Sequence, residues 1–510
     1  MKKIVFGIIL LIVLLLFFGC TTQPSNSQEA TQQQSIQQSS VSQGCKYNNP
    51  SCESDYNCVN NQCTLKLGCQ YNNPNCNAGS NCINNKCVLT VINSVDACIN
   101  QSAGRGKLDI FDSHVHIMSK VSTSQIISEM DKAGVSMSLL YPIDGDDDSS
   151  SLEAISKYPG RFIAFVDTPD SPEPSTWLTQ GQAFVRFAEA QLKTGKFYGI
   201  GETNLRYYSG DIISPPTVYV PADNSVWLAL VDLSAKYHVP ISFHFVPDDS
   251  AANVAFEKML SHNKDAILIW AHLGFNNMPL DSAKLNDFLL RYPNLYFDTA
   301  GIQNMQNPLP QSNSNWALLT SQSDKGQLKE EWRQFFQTWN SRILFGSDAG
   351  GGQNGLERWL NYSSNTSDGA PADAIGHWMR LFSNLEYSAA RNILSGNART
   401  LFLKEQKPPY DYLISSGDEC HHILVSSASS VSALAFNQST SVITFTVADS
   451  SETNGSAVIT IPAMLAKGNF MAFVDGQSVS IKEESNSTNT IITVEYSGGI
   501  KTITLKGKKI

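Results

Sequence analysis

The sequence predicts an α/β chain built around a (β/α)₈ TIM barrel over residues 107–406, preceded by a small disulfide-rich repeat region and followed by an antiparallel β-sandwich. Three patterns carry this expectation. Short apolar runs alternate with amphipathic stretches eight times over about 300 residues, the number and size of such a barrel. Upstream, eight cysteines recur in a tandem repeat. Downstream, apolar and polar residues alternate with period two in short segments split by Gly, Asn and Ser, as in half-buried antiparallel strands.

The first 20 residues read as an export signal. Lys2 and Lys3 precede an apolar run from Ile4 to Phe18 interrupted only by Gly7. That run is short for a bilayer span, which needs about 20 residues, and suits a signal peptide. Phe17-Phe18-Gly19-Cys20 has the form of a lipoprotein processing box, with Phe17 where leucine is usual. An uncleaved anchor helix is the alternative. Either way the membrane is an expected partner, and the chain is expected to be exported and held at the outer face of the cytoplasmic membrane. Residues 21–43 are rich in Gln, Ser and Thr and nearly free of apolar side chains, so they are expected to be a flexible tether.

The repeat region, 44–98, places Cys45, Cys52, Cys58 and Cys63 in one unit and Cys69, Cys76, Cys82 and Cys87 in the next, with period 24. Units this small bury no sufficient core, and two disulfides in each are the expected staple. Four cysteines allow three pairings, and the spacing does not choose among them. The gaps lack the short CxxC spacing of zinc ribbons, so a rigid spacer or a cell-surface contact is expected instead. Cys98 and Cys420 flank the barrel, and a bridge between them is expected to close it. The net charge of −10 with no Lys/Arg block argues against nucleic acid as a partner.

Within the barrel, apolar runs occupy 108–113, 135–142, 162–167, 197–203, 240–245, 266–272, 295–300 and 342–348. Segments of helical periodicity fill the gaps, for example 225–238, 281–291 and 328–339. Metal-type residues fall at the ends of five of these runs, the end at which barrels of this kind carry their sites. His114 and His116 stand at i and i+2, so a strand sends both to one side, where one cation can meet both. Glu202 ends the fourth run, His244 the fifth, His272 the sixth and Asp348 the eighth. The chain has nine histidines, and four of them lie at these positions. Imidazole and carboxylate donors suit Zn²⁺ first, and also Mn²⁺, Fe²⁺ or Co²⁺, as one ion or two.

These residues, with Arg342-Ile343-Leu344-Phe345-Gly346-Ser347-Asp348, Tyr292-Pro293-Asn294-Leu295-Tyr296-Phe297-Asp298 and Asn392-Ile393-Leu394-Ser395-Gly396-Asn397-Ala398-Arg399, resemble the amidohydrolase superfamily and its amidohydrolase-related branch. The resemblance implies a metal-dependent hydrolase of a small-molecule ester, lactone, amide or phosphoester. It implies that His114, His116 and His244 bind metal, that His272 binds a second metal or polarises the substrate, and that Asp348 is ligand and proton carrier. Gly199-Ile200-Gly201-Glu202-Thr203 is similar to the TatD-like hydrolases, in which the fourth-strand Glu bridges two metals; the Gly-Ser-Asp of the eighth strand departs from that family's Glu-Thr-Asp. A carboxylate that only orients a histidine is the other reading of Glu202.

Asp112, Asp298 and Arg206 are candidates to steer ligands or substrate. Arg206, Tyr207 and Tyr208 are candidates for an anionic or aromatic group, and Trp316 for a cover over the site. Two other functions stay open on the sequence. The same branch includes metal-dependent decarboxylases, and the appended modules fit a non-catalytic surface-binding protein. From 420 to 510 the β-sandwich resembles domains appended to exported prokaryotic surface proteins and carries no catalytic pattern. His421 and His422 are expected at an exposed strand entry.

Overall fold

The structure, a computed structural model, describes residues 56–59, 62–65, 80–83, 86–89, 108–117, 122–142, 148–167, 174–207, 218–274, 282–302, 319–320, 327–350, 374–416 and 419–508. The export signal, the tether, Cys98, Tyr208 and Trp316 lie outside them. Among the described residues no helix is long and apolar enough to cross a membrane. The chain divides into two compact units, the larger comprising Leu89–Ile510 with Ala78–Asn81.

In the repeat region, β1 (Tyr56–Val59) pairs antiparallel with β2 (Gln62–Leu65), which sets Cys58 opposite Cys63 in register. A second hairpin of the same form joins β3 (Ser80–Ile83) to β4 (Lys86–Leu89).

Strand–helix alternation then begins. A three-stranded parallel sheet contains β5 (Phe111–Ile117), β6 (Met137–Pro142) and β7 (Phe162–Ala164). After β8 (Ile200–Asn204) comes a short hairpin of β9 (Arg206–Tyr207) and β10 (Val218–Tyr219). A five-stranded parallel sheet runs β8, β11 (Pro240–His244), β12 (Ile267–Trp270), β13 (Leu295–Asp298) and β14 (Ile343–Leu344). Parallel bridges tie the two sheets at both edges, Val166 to Ile200 and Val115 to Ala349. These eight parallel strands alternate with helices along the chain.

Local sequence explains the connecting helices. Ser122 and Gln125 form a capping box before Thr123–Ala133, and Gly134 ends that helix in the left-handed region at φ 78°. Asn224 and Asp249 cap Ser225–Tyr237 and Ser250–His262 through backbone N–H groups of Val226 and Ala252. Period two divides the strand side chains into two clusters. Phe111, Leu139, Tyr141, Phe165, Ile269 and Leu344 gather in one, closed by Leu401 and Phe402 of the helix Asn397–Leu403. Their neighbours Ile110, Val115, Leu140, Ile241, Phe243 and Leu268 join the larger cluster beneath the helices.

Three strand expectations need correction. The first strand runs Phe111–Ile117 rather than 108–113, so the two histidines lie inside it. The sixth ends at Trp270, and His272 sits in a 3₁₀ turn, Ala271–Gly274, at φ 61°. The eighth covers only Ile343–Leu344, because Ser347 turns to Asp112 through its backbone N–H (2.9 Å) and its hydroxyl.

The C-terminal part contains two antiparallel five-stranded sheets. One orders β15 (Tyr410–Ser416), β16 (Glu419–Ser427), β19 (Asn454–Pro462), β23 (Asn489–Ser497) and β22 (Ile481–Ser485). The other orders β17 (Ser430–Asn437), β18 (Val442–Ala448), β24 (Ile500–Lys508), β20 (Lys467–Val474) and β21 (Gln477–Val479). Both sheets share one apolar core, including Tyr410, Val425, Phe445, Ile459 and Leu505. The first strand therefore starts ten residues before the alternation becomes legible at 420. Cys420 is disulfide-bonded, and Cys98 lies outside the described residues. His422 hydrogen-bonds Asp411 at 2.7 Å and is half exposed, whereas His421 is mostly covered.

A buried polar hub joins this β-domain to the strand–helix part. The Asn340 side chain donates to Gln337 O (2.8 Å) and Val431 O (3.2 Å) and accepts from Asn392 (2.9 Å) and the Tyr410 hydroxyl (3.1 Å). Asn340→Ala strands these buried partners, and the expected loss is about 1–3 kcal/mol. A chemical-denaturation midpoint reads it; an unchanged midpoint would show that the hub contributes nothing.

Candidate metal centre

Six side chains converge where β5, β8 and β11 and the loops after β12 and β14 end. His114 Nε2 lies 3.2 Å from His116 Nε2 and 3.2 Å from Glu202 Oε2. His116 Nε2 lies 3.6 Å from the same Glu202 oxygen and 3.2 Å from Asp348 Oδ1. The other oxygen, Glu202 Oε1, is 3.1 Å from His272 Nε2 and 3.6 Å from His244 Nδ1. Two groups of donors whose atoms lie within 4.8 Å of one another result, His114–His116–Asp348 and His114–Glu202–His272.

Buried carboxylates and carbonyls aim the imidazoles. Asp298 Oδ2 accepts from His114 Nδ1 at 2.9 Å, which leaves Nε2 facing the centre. The Ala300 carbonyl, which can only accept, lies 2.9 Å from His272 Nδ1 and fixes that ring in the same sense. Asp298 Oδ1 also takes the backbone N–H of His272 (2.8 Å) and of Ala300 (3.0 Å), so one carboxylate sets two ligand candidates. Asp112 performs a similar task, accepting from Ser347 and, at 3.3 Å, from the backbone of His114. The Asp348 N–H donates to His114 O at 2.9 Å.

His272 and Asp348 both hold left-handed backbone, at φ 61° and φ 59°. Non-glycine residues adopt it at a cost, and such strain clusters at functional sites. Gly301 gives the two side chains room: a Cβ there would lie 2.9 Å from Asp348 Oδ2 and 2.9 Å from His272 Nδ1. At Gly346 it would meet His114 Cβ at 2.8 Å.

Charge follows the same geometry. Burial pushes the Glu202 carboxyl up, but the imidazoles of His114 and His272 outweigh it and hold it well below the usual carboxylate range. Burial also lowers His114, yet Glu202 and Asp298 raise it well above an ordinary histidine. His272 rises through Glu202 against its burial, whereas burial dominates at His244 and lowers it. The distances explain the difference, since Oε1 stands closer to His272.

The donor set fits a divalent cation. Two nitrogens on one tetrahedral zinc, at about 2.05 Å each, stand about 3.3 Å apart. The His114–His116 separation is 3.2 Å.

The chain agrees with a family model on this ground as well. Residues 139–403, just over half its length, match the model of the amidohydrolase family. The chain belongs to that family. As an amidohydrolase it is a metal-dependent hydrolase. Similar solved structures include amidohydrolase 2 from Bifidobacterium longum subsp. infantis, at 15% identity over 59% of this chain and 100% of that one, with TM-score 0.35. Dihydroorotase from Saccharomyces cerevisiae is similar at 12% identity over 79% and 98%, with TM-score 0.35. Among curated proteins none matches the chain.

The six residues singled out in the sequence of this amidohydrolase all meet at the centre. Asp112 and Asp298 stand directly behind them. Arg206 does not join them: Asp248 (2.8 Å) and Asp249 (2.9 Å) engage its guanidinium, which lies 4.5 Å from the Tyr219 ring. Gly301, Gly346, the Ala300 carbonyl and Tyr141 escaped the sequence reading. For Tyr141 the only signal was its place in the apolar run of β6, two residues beyond Leu139.

Proposed function

We propose that the chain is a binuclear hydrolase in which Glu202 bridges two cations and Asp348 carries the proton. The observation behind this reading is the split of one carboxylate, Oε2 toward His114 and His116 and Oε1 toward His244 and His272. His114, His116, Asp348 and Glu202 would hold one ion, and Glu202, His244 and His272 the other, with Zn²⁺ the first choice. When bound, such ions supply Lewis acidity to a carbonyl or phosphoryl centre and lower the pKa of a water towards about 7.

The chain's own groups do the rest. Asp298 and Ala300 keep the proton of each paired imidazole on Nδ1. Asp348 is the most exposed donor of the set, with 16% of its side chain accessible. It is placed to take the proton of an attacking water and return it to the leaving group of an ester, lactone, amide or phosphoester. Were only one ion bound, His272 would instead be placed to steady a developing oxyanion. Eight parallel strands whose two sheets are bridged at both edges support a closed (β/α)₈ barrel around this centre. The signal-like N-terminus and Cys20 support export and tethering at the outer face of the membrane.

The test uses the full chain. Membrane and soluble fractions are assayed for it, its metal content is measured, and the purified protein is offered a lactone, an ester, an amide and a phosphoester. About two ions per chain and turnover on the panel are expected. No metal and no turnover would overturn the catalytic reading; carbon dioxide release from a carboxylated substrate would favour the decarboxylase. Recovery entirely in the soluble fraction would overturn tethering.

A further inference from the structure

Three Asn-x-Ser/Thr triplets lie among the described residues, and the fold sorts them. Asn437-Gln438-Ser439 stands where β17 turns into β18, and Asn486-Ser487-Thr488 where β22 turns into β23. Asn454-Gly455-Ser456 instead opens β19. Asn100, Asn361 and Asn365 begin further triplets outside those residues.

Both turns present the asparagine together with the hydroxyl two residues on. The Ser439 hydroxyl donates to Asn437 Oδ1 at 2.7 Å, and the Thr488 hydroxyl to Asn486 Oδ1 at 2.9 Å. Backbone N–H groups reach the same two oxygens, from Thr440 (3.3 Å) in one turn and from Thr488 (2.9 Å) and Asn489 (2.8 Å) in the other. All of these bonds use Oδ1, and both asparagines are exposed. Each Nδ2 therefore makes no hydrogen bond among the described residues. Asn454 is exposed as well, but its backbone is committed. Asn454, Gly455 and Ser456 pair with Ser497, Tyr496 and Glu495 of β23, and the Ser456 carbonyl accepts from the Ser427 hydroxyl at 2.9 Å. An enzyme that modifies a folded chain must draw the segment into its own groove, which costs little at a loop tip and more in a paired strand.

Register also places the two turns at one end of the β-domain. The opposite end meets the strand–helix part, where Val431 O accepts from Asn340 (3.2 Å) and the Ser450 hydroxyl donates to Leu290 O (3.0 Å). β17 runs from that end to Asn437, and β19 runs from it to Pro462, which lies opposite Asn489. A bulky chain on Asn437 or Asn486 thus stands off the packed face and away from the metal centre.

We propose that Asn437 and Asn486 are N-glycosylation sites that accept a sugar chain from a polyprenyl-linked phosphate or pyrophosphate donor, and that Asn454 is not. This rests on the export half of the reading above. In the transfer, the bond from the anomeric carbon to the donor's phosphate oxygen breaks and a bond from that carbon to Asn Nδ2 forms. The amide loses one proton, which leaves with the lipid phosphate, and nothing is oxidised or reduced.

The experiment expresses the full chain in a secretory host whose transferase acts on Asn-x-Ser/Thr. Glycan sites are mapped by mass spectrometry for the wild type and for Ser439→Ala, Thr488→Ala and Ser456→Ala, each of which keeps its asparagine. In the wild type Asn437 and Asn486 are expected to be occupied and Asn454 bare. Ser439→Ala and Thr488→Ala should each lose one glycan, and Ser456→Ala none. Exported chain bare at both turns, or occupied equally at Asn454, would overturn the proposal. Chain found only in the cytosol would sink the export reading instead. The purified chain is then incubated with solubilised transferase and lipid-linked donor, where the same pattern is expected and bare turns would again overturn the assignment.

Discussion

Asp348→Asn is expected to keep its metal and turn over substrate roughly 10²- to 10⁴-fold more slowly, the usual worth of a positioned acid–base group. The substitution is nearly isosteric, and the retained Oδ1 can still face His116 Nε2, 3.2 Å away in the wild type. The backbone N–H bond to His114 O also survives, so the left-handed turn at this residue is unchanged. The capacity to take and return a proton is lost, because an amide is not basic near neutral pH, and with it the negative charge that would face a cation. The measurement is kcat at saturating zinc on whichever panel substrate the wild type accepts, with metal content determined on the same samples. A variant within a few-fold of wild type at full metal occupancy would show that the proton goes elsewhere. A variant that loses its metal would make Asp348 primarily a ligand.

Much of the centre was legible because two of its rules are local. The i, i+2 spacing of His114 and His116 needs only the period of a strand, and Glu202 and His244 each fall where an apolar run gives out. The remaining geometry depends on contacts between positions far apart in the chain. His114 meets Asp298 across 184 residues, and Asp112 meets Ser347 across 235. Those bonds set the ring orientations and cut the eighth strand to two residues, and neither effect has a local signature. His272 illustrates the limit well. Its apolar run reads as a strand through to the histidine, but Asp298 takes the backbone N–H and Ala300 the ring of His272 in a left-handed turn that no propensity favours. The start of the β-domain was hidden for a related reason. Tyr410 and Tyr412 face its core, but the Pro408-Pro409 break and the mixed run that follows mask the alternation.

Glu202→Gln tests the bridging role with the largest expected effect. The amide keeps the shape of the side chain and removes its negative charge from among four imidazoles. Bound zinc is expected to fall from about two ions per chain to one or fewer. Turnover should drop by more than the roughly 10- to 100-fold that loss of an outer-shell partner costs. Without metal, Glu202 and His114 form one mutually stabilising pair, and the sign of each shift gives its window. The depressed carboxylate contributes stability above the unfolded carboxyl value of about 4.3 and loses it as pH falls through its folded value. The raised imidazole contributes below about 6.5 and loses its contribution as pH rises through its folded value. Both conditions hold between about pH 4.3 and 6.5, so the gap in apo melting temperature between wild type and variant should be widest there. Zinc requires the same imidazoles in neutral form, so wild-type affinity should rise with pH as protons are released. In the variant no negative charge holds a proton on His114 from the Nε2 side, and that slope should be shallower. Two ions per chain in the variant, with an unaltered pH slope, would show that Glu202 bridges nothing.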